Sequence, residues 1–163
     1  MILLYGYNAI RDFAKKAEDV TYLKFVNSLE NAVRQSSGYG DISIKDFTLS
    51  GYEKICFVDL SDAAVTAASG KDLCTSGKDD YDPVICDGWQ DRKQNVFLKP
   101  MAPTPIKVWT ITVDGGDSDI EEDTSTCSGE KCFYRCFDIS NGKLRLKLEG
   151  KGNRVIVSEA PVG

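Results

Sequence analysis

Residues 114–123 concentrate more potential ligand atoms than any other stretch of this 163-residue chain. Asp114, Asp117, Asp119, Glu121, Glu122 and Asp123 place six carboxylates in ten positions, with Gly115 and Gly116 among them. Calcium takes about six to eight hard oxygens, and glycines let a loop wrap the ion. Asp114, Asp117 and Asp119 are therefore the calcium candidates. The spacing is neither that of an EF-hand loop nor that of a calcium-binding nonapeptide repeat, so an acidic loop facing water is the default reading.

The second group with chemical potential is the six cysteines, Cys56, Cys74, Cys86, Cys127, Cys132 and Cys136. Zinc ribbons prefer C-x2-C pairs, and Cys127-x4-Cys132-x3-Cys136 departs from that spacing. An even number in a chain of this size points to disulfides and an oxidising, extracytoplasmic setting. Cys132 and Cys136 share one face of a regular strand and stand too far apart to bridge each other. Each is expected to pair elsewhere, with Cys56 on a neighbouring strand as one partner. Cys74 and Cys86 are expected to pin a polar loop that contains two copies of SGKD, at 69–72 and 76–79. The full phosphate-loop pattern is absent from that loop.

Several chemistries are excluded by composition. No histidine is present, which removes Ser-His-Asp and Cys-His catalysis and every histidine-based zinc site. Ser128-x2-Lys131 and Ser140-x2-Lys143 match a catalytic S-x-x-K only by letter, because that dyad opens a helix and needs further motifs. Nothing singles out two carboxylates for glycoside hydrolysis. The net charge of −5 argues against nucleic acid and against an anionic lipid surface as partners. The chain is read as non-enzymatic, and no cofactor is expected.

The elements that would position these groups begin with a long amphipathic helix over residues 1–37. Tyr22, Phe25, Val26, Leu29 and Val33 repeat at helical spacing, and charges fill the gaps. Such a helix would be about 50 Å long. Ser36-Ser37-Gly38 is its stop signal, with Gly38 suited to a left-handed cap. Phe13, Ala17, Phe25, Leu29 and Val33 are expected to dock it on a sheet. Its greasy start at Ile2, Leu3, Leu4, Tyr5 and Tyr7 is too short for a signal peptide or a membrane span. The helix is accordingly expected to be the stub of a longer anchor; the plainer alternative is a native start whose first turn packs on the sheet.

Residues 41–163 read as a β-rich headgroup, and residues 1–163 as a single domain. Residues 41–60 suggest a hairpin turning at Ser50-Gly51, with a bulge near Lys45-Asp46. The polar loop continues through Pro83, which is expected to block helix there. A short strand follows at 95–99, then the prolines of 100–105 as a stiff connector, then a strand at 106–113. Asn141-Gly142 is a two-residue hairpin signal. Leu144, Leu146 and Leu148 alternate with Lys143, Arg145 and Lys147, giving one buried and one wet face. With Arg154 these cations form a basic ladder that could meet the acidic loop of a neighbouring copy, although an ordinary solvated face explains them as simply. The expected fold is α+β: a long N-terminal helix on an antiparallel sheet of about six or seven strands, stabilised by disulfides.

Four segments, NSLENAV at 27–33, KICFVDL at 54–60, NVFLKP at 95–100 and the stretch at 136–158, resemble a pattern seen in archaeal membrane-anchored exported proteins of largely uncharacterised type. The architecture is also similar to type IV pilin-like subunits, in which a helix packs under a β-sheet headgroup. That resemblance implies an extracellular, membrane-anchored structural or filament protein at the cell surface. Its partners would be copies of itself or other surface proteins, and its membrane contact would run only through an N-terminal helix segment beyond this sequence. A different class, an extracellular ligand- or calcium-binding module using residues 114–123, is the alternative.

Overall fold

The computed structural model describes residues 2–61, 74–77, 81–114, 127–128, 131–132 and 134–160. Side chains are described from Ala17 onward, except those of Trp89, Asp114 and residues 127–132. Helix α1 (Ile2–Gln35) comes first, then β1 (Ile42–Thr48) and β2 (Lys54–Val58). Helix α2 (Pro83–Asp91) and strands β3 (Val96–Lys99), β4 (Ile111–Asp114), β5 (Cys127–Ser128) and β6 (Lys131–Cys132) follow. Strands β7 (Tyr134–Asp138), β8 (Lys143–Gly150) and β9 (Val155–Glu159) complete the order.

The expected α+β class is present, but its single antiparallel sheet is corrected to two. One sheet has six strands in the order β1-β8-β9-β4-β6-β5, and the other has three in the order β3-β2-β7. One pairing, β4 with β9, is parallel. The expected β1–β2 hairpin does not form. Gly51 turns the chain with φ +85°, yet β1 joins β8 while β2 lies between β3 and β7. Register runs unbroken from Ile42 opposite Glu149 to Thr48 opposite Lys143, so no bulge interrupts β1.

Both sheets and α1 share one core. Tyr22, Phe25, Leu29 and Val33 from the helix meet Phe47, Ile55, Phe57, Leu146 and Leu148 from the sheets. Phe25 stands edge-on to Phe47 with ring centroids 5.9 Å apart. Full burial of each such side chain contributes roughly 1.5–3 kcal/mol. Among the described side chains, the buried apolar face runs only from Tyr22 to Val33. Ala17 is exposed, which corrects its assignment to the docking face, and the side chain of Phe13 lies outside the described residues.

The helix ends through its neighbours. Ser36 Oγ meets Ser43 Oγ at 2.7 Å, and the left-handed residue is Gly40 (φ +83°), not Gly38. The amide of Gly40 donates to the Gly150 carbonyl at 3.0 Å, and that of Gly150 donates to the Asp41 carbonyl at 2.7 Å. A Cβ on Gly150 would overlap the carbonyl oxygens of Gly38 and Ser36, so the loop after α1 and the end of β8 meet backbone to backbone.

A second, smaller core lies on the opposite face of the three-stranded sheet. Cys56 and Val58 point there, against Ile85 of α2 and Phe97 of β3. Pro83 does not block helix but begins it. Its fixed φ and missing N–H suit the first helical position, and Asp82 Oδ1 caps the turn by accepting from the amides of Val84 and Ile85, both at 3.1 Å. At the far end Arg92 adopts a left-handed conformation (φ 53°) and donates its amide to the Gly88 carbonyl.

Candidate functional site

The structure brings four of the six disulfide candidates together. Cys56 and Cys136 sit directly opposite on β2 and β7 and are bonded, matching the expectation that Cys136 pairs with a neighbouring strand. Cys74 and Cys86 are bonded, tying residues 74–77 to α2. Cys127 and Cys132 oppose each other in the β5–β6 ladder; their side chains lie outside the described residues. So do Asp117, Asp119 and the side chain of Asp114, whose backbone ends β4. Among the described residues no group of histidine, cysteine and carboxylate side chains could hold a metal ion. No described helix is long and apolar enough to cross a membrane.

The cations in and just after β8 form a cross-strand ion pair and local pairs along the strand. Lys143 and Arg145 are exposed and Lys147 half-buried, while Leu144, Leu146 and Leu148 are buried, as the alternation requires. Arg145 Nε lies 3.3 Å from Asp46 Oδ1 on β1, and Lys147 Nζ lies 3.8 Å from Glu149 Oε2. Glu149 also accepts from Lys151 Nζ. That hydrogen bond, outweighing partial burial and aided by the Lys151 and Lys147 charges, holds the Glu149 carboxyl below its usual range. Arg154, just before β9, is half-buried, and its Nε has no hydrogen-bond partner among the described residues. Ser140 and Lys143 exchange backbone hydrogen bonds of 3.0 and 2.9 Å across the Asn141-Gly142 turn, which accounts for their spacing without a dyad.

Two clefts that sequence reading did not foresee flank the three-stranded sheet. The first, about 350 Å³, lies between the start of α2, β3 and the segment from Met101 to Pro105. Its walls are Val84, Ile85, Phe97, Leu98 and Met101, with Gln94, Thr104, Asp82 and Lys99 as the polar groups. Lys99 Nζ and Asp82 Oδ2 pair at 2.7 Å. The peptide bond between Lys99 and Pro100 is cis. Helix α1 reaches this site, because the Tyr22 hydroxyl donates to the Thr104 carbonyl at 2.9 Å and lies 3.0 Å from Thr104 Oγ1. Tyr22 also stacks obliquely near Tyr52, at 6.4 Å between centroids. Burial, then the nearby Tyr22 and the carboxylates of Glu18 and Asp19, push the Tyr52 phenol above its usual range.

The second cleft, about 380 Å³, is more polar, with Ser61, Arg92, Asn95, Lys107 and Thr110 on its walls. Lys107 Nζ donates to the Arg92 carbonyl at 2.9 Å. Two buried polar side chains hold residues of its lining. Asn95 clasps Val108, accepting from its amide at 2.8 Å and donating to its carbonyl at 3.1 Å. Asp59 accepts from Thr112 Oγ1 at 3.1 Å and from the Ser61 amide at 2.8 Å. Burying such groups is costly unless they are hydrogen-bonded, and here both are.

No family model, no curated protein and no solved structure matches this chain. A functional reading rests on the arrangement itself.

Proposed function

We propose that this chain is the non-enzymatic extracellular domain of a membrane-anchored cell-surface protein or pilin-like filament subunit, with α1 as the element that carries it. The observation behind this reading is the two-sidedness of α1. One face, Tyr22 to Val33, is sunk into the shared core, while Val20 and Leu23 on the other side stay 51% and 56% exposed. Apolar residues on the solvent side of a docked helix are the kind of surface that neighbouring helices or lipid cover. The two disulfides fit an oxidising compartment. Catalytic histidine schemes are absent from the composition.

The test is to produce the protein from its own gene in its own host and follow it with an antibody. Labelling of intact cells, with the antigen in sheared filaments under the electron microscope or in the membrane fraction, is the expected result. Filaments favour the pilin-like form and membrane recovery the anchored form. Antigen confined to the cytosol with reduced cysteines would overturn both.

A further inference from the structure

We propose that the cleft between α2 and the segment from Met101 to Pro105 is a binding site for a small aromatic or alkyl carboxylate. The inference is independent of how the chain is anchored. A volume of about 350 Å³ falls within the range of small-molecule sites, which are mostly apolar with a few placed polar groups. Val84 and Met101 line this cleft while remaining 44% and 75% exposed. An apolar guest would cover both and recover the area they leave in water.

The walls are held apart by separate tethers, so the cleft does not depend on collapse around a guest. The α2 wall is fixed by the Asp82 cap and by the Cys74–Cys86 bond. The floor is β3, paired with β2. The opposite wall contains Pro103 and Pro105, whose φ angles are locked, and is pinned by Tyr22 on Thr104 and by the bridge between Val96 and Ile106. A site organised before binding loses little to ordering when a ligand arrives.

Charge selects the ligand's polar end. Asp82 is used up, since Oδ1 accepts two backbone amides and Oδ2 accepts Lys99. Its side chain is only 16% exposed, whereas that of Lys99 is 46% exposed. An ammonium carries three N–H donors, and among the described residues Asp82 is its one ion-pair partner. The mouth therefore offers the exposed Lys99 ammonium, with N–H donors beyond the one that Asp82 takes, to an incoming carboxylate, while the walls accept its apolar body. Gln94 and Thr104 supply further hydrogen-bonding groups on the lining.

The test uses 2-naphthoate and its uncharged counterpart 2-naphthamide, titrated into the isotopically labelled protein and followed by amide chemical shifts. Saturable shifts by 2-naphthoate at Val84, Ile85, Leu98, Lys99 and Met101 are expected. Lys99→Met should weaken 2-naphthoate about tenfold and leave 2-naphthamide unchanged, and Lys99→Arg should restore most of the loss. Ala102→Phe, which fills the cleft, should abolish both. A thermal melt of each variant separates loss of binding from loss of folding, and for any unfolded variant the wild-type shift map decides. Absence of saturation at millimolar probe, shifts clustered elsewhere, or equal weakening of both probes by a folded Lys99→Met protein would overturn the proposal.

Discussion

The hydroxyl of Tyr22 stands 2.9 Å from the carbonyl oxygen of Thr104, a residue 82 positions further along the chain. This contact joins the docked face of α1 to the proline-rich wall of the first cleft. Tyr22→Phe keeps the ring and its packing and removes only the hydroxyl. A loss of about 1 kcal/mol in unfolding free energy is expected. Amide exchange should quicken in the residues around Thr104 more than in β8, and hydrogen-exchange mass spectrometry reads both regions at once.

Gly150 makes the tightest backbone approach among the described glycines. Gly150→Ala would push a methyl group into the carbonyls of Gly38 and Ser36, and backbone cannot swing away as a flexible side chain does. The expected cost is about 1–3 kcal/mol or more, visible as a lower urea midpoint with little change in slope.

The two described disulfides should differ in weight. They join residues 80 and 12 positions apart. Loop-closure entropy assigns about 4–5 kcal/mol to the longer and about 3 kcal/mol to the shorter, in a model that strain and residual structure modify. Replacing Cys56 and Cys136 by alanine should therefore lower the melting temperature more than replacing Cys74 and Cys86. The second change should loosen α2 locally, which its amide exchange would report.

Much of this fold was legible one element at a time. Leu144, Leu146 and Leu148 announced a half-buried strand by their period of two, and Phe25, Leu29 and Val33 announced the buried helix face. Asn141 and Gly142 both take positive φ, 53° and 69°, as a hairpin dipeptide should. Pairing was not legible. Nothing near Ser50-Gly51 signals that β1 and β2 enter different sheets, because the choice is made by partners far along the chain. Pro83 was misread because the same residue that breaks a helix interior also opens a helix when an Asp precedes it. The first cleft gave no motif at all. It is assembled from ordinary apolar residues between 82 and 105, and only Asp82 closing on Lys99 makes a site of them.

Acid should act through Glu149. Its folded-state pKa lies below the ordinary 4.5, chiefly through the hydrogen bond from Lys151. A depressed carboxyl contributes stability that is present above the unfolded value and is lost as pH falls through the folded one. Glu149→Gln should therefore melt slightly below wild type at neutral pH, by an amount near that of exposed ion pairs, about 0.2–1 kcal/mol. The gap should close at pH values under 4.5 and narrow in high salt. Paired melts across pH would show it.

The placement of β1 also bears on how the molecule is made. Its partners on β8 lie between 95 positions away (Thr48 to Lys143) and 107 (Ile42 to Glu149), and β4 meets the distant β9 as well as the nearer β6. During synthesis β1 leaves the ribosome with its mate still untranslated, so its ladder stays open until β8 emerges. Non-local pairing of this kind slows folding and leaves strand edges open to the wrong partner. For a chain with six cysteines, that interval is when mismatched thiols would be joined, and an isomerase would matter more to its yield than to its final stability.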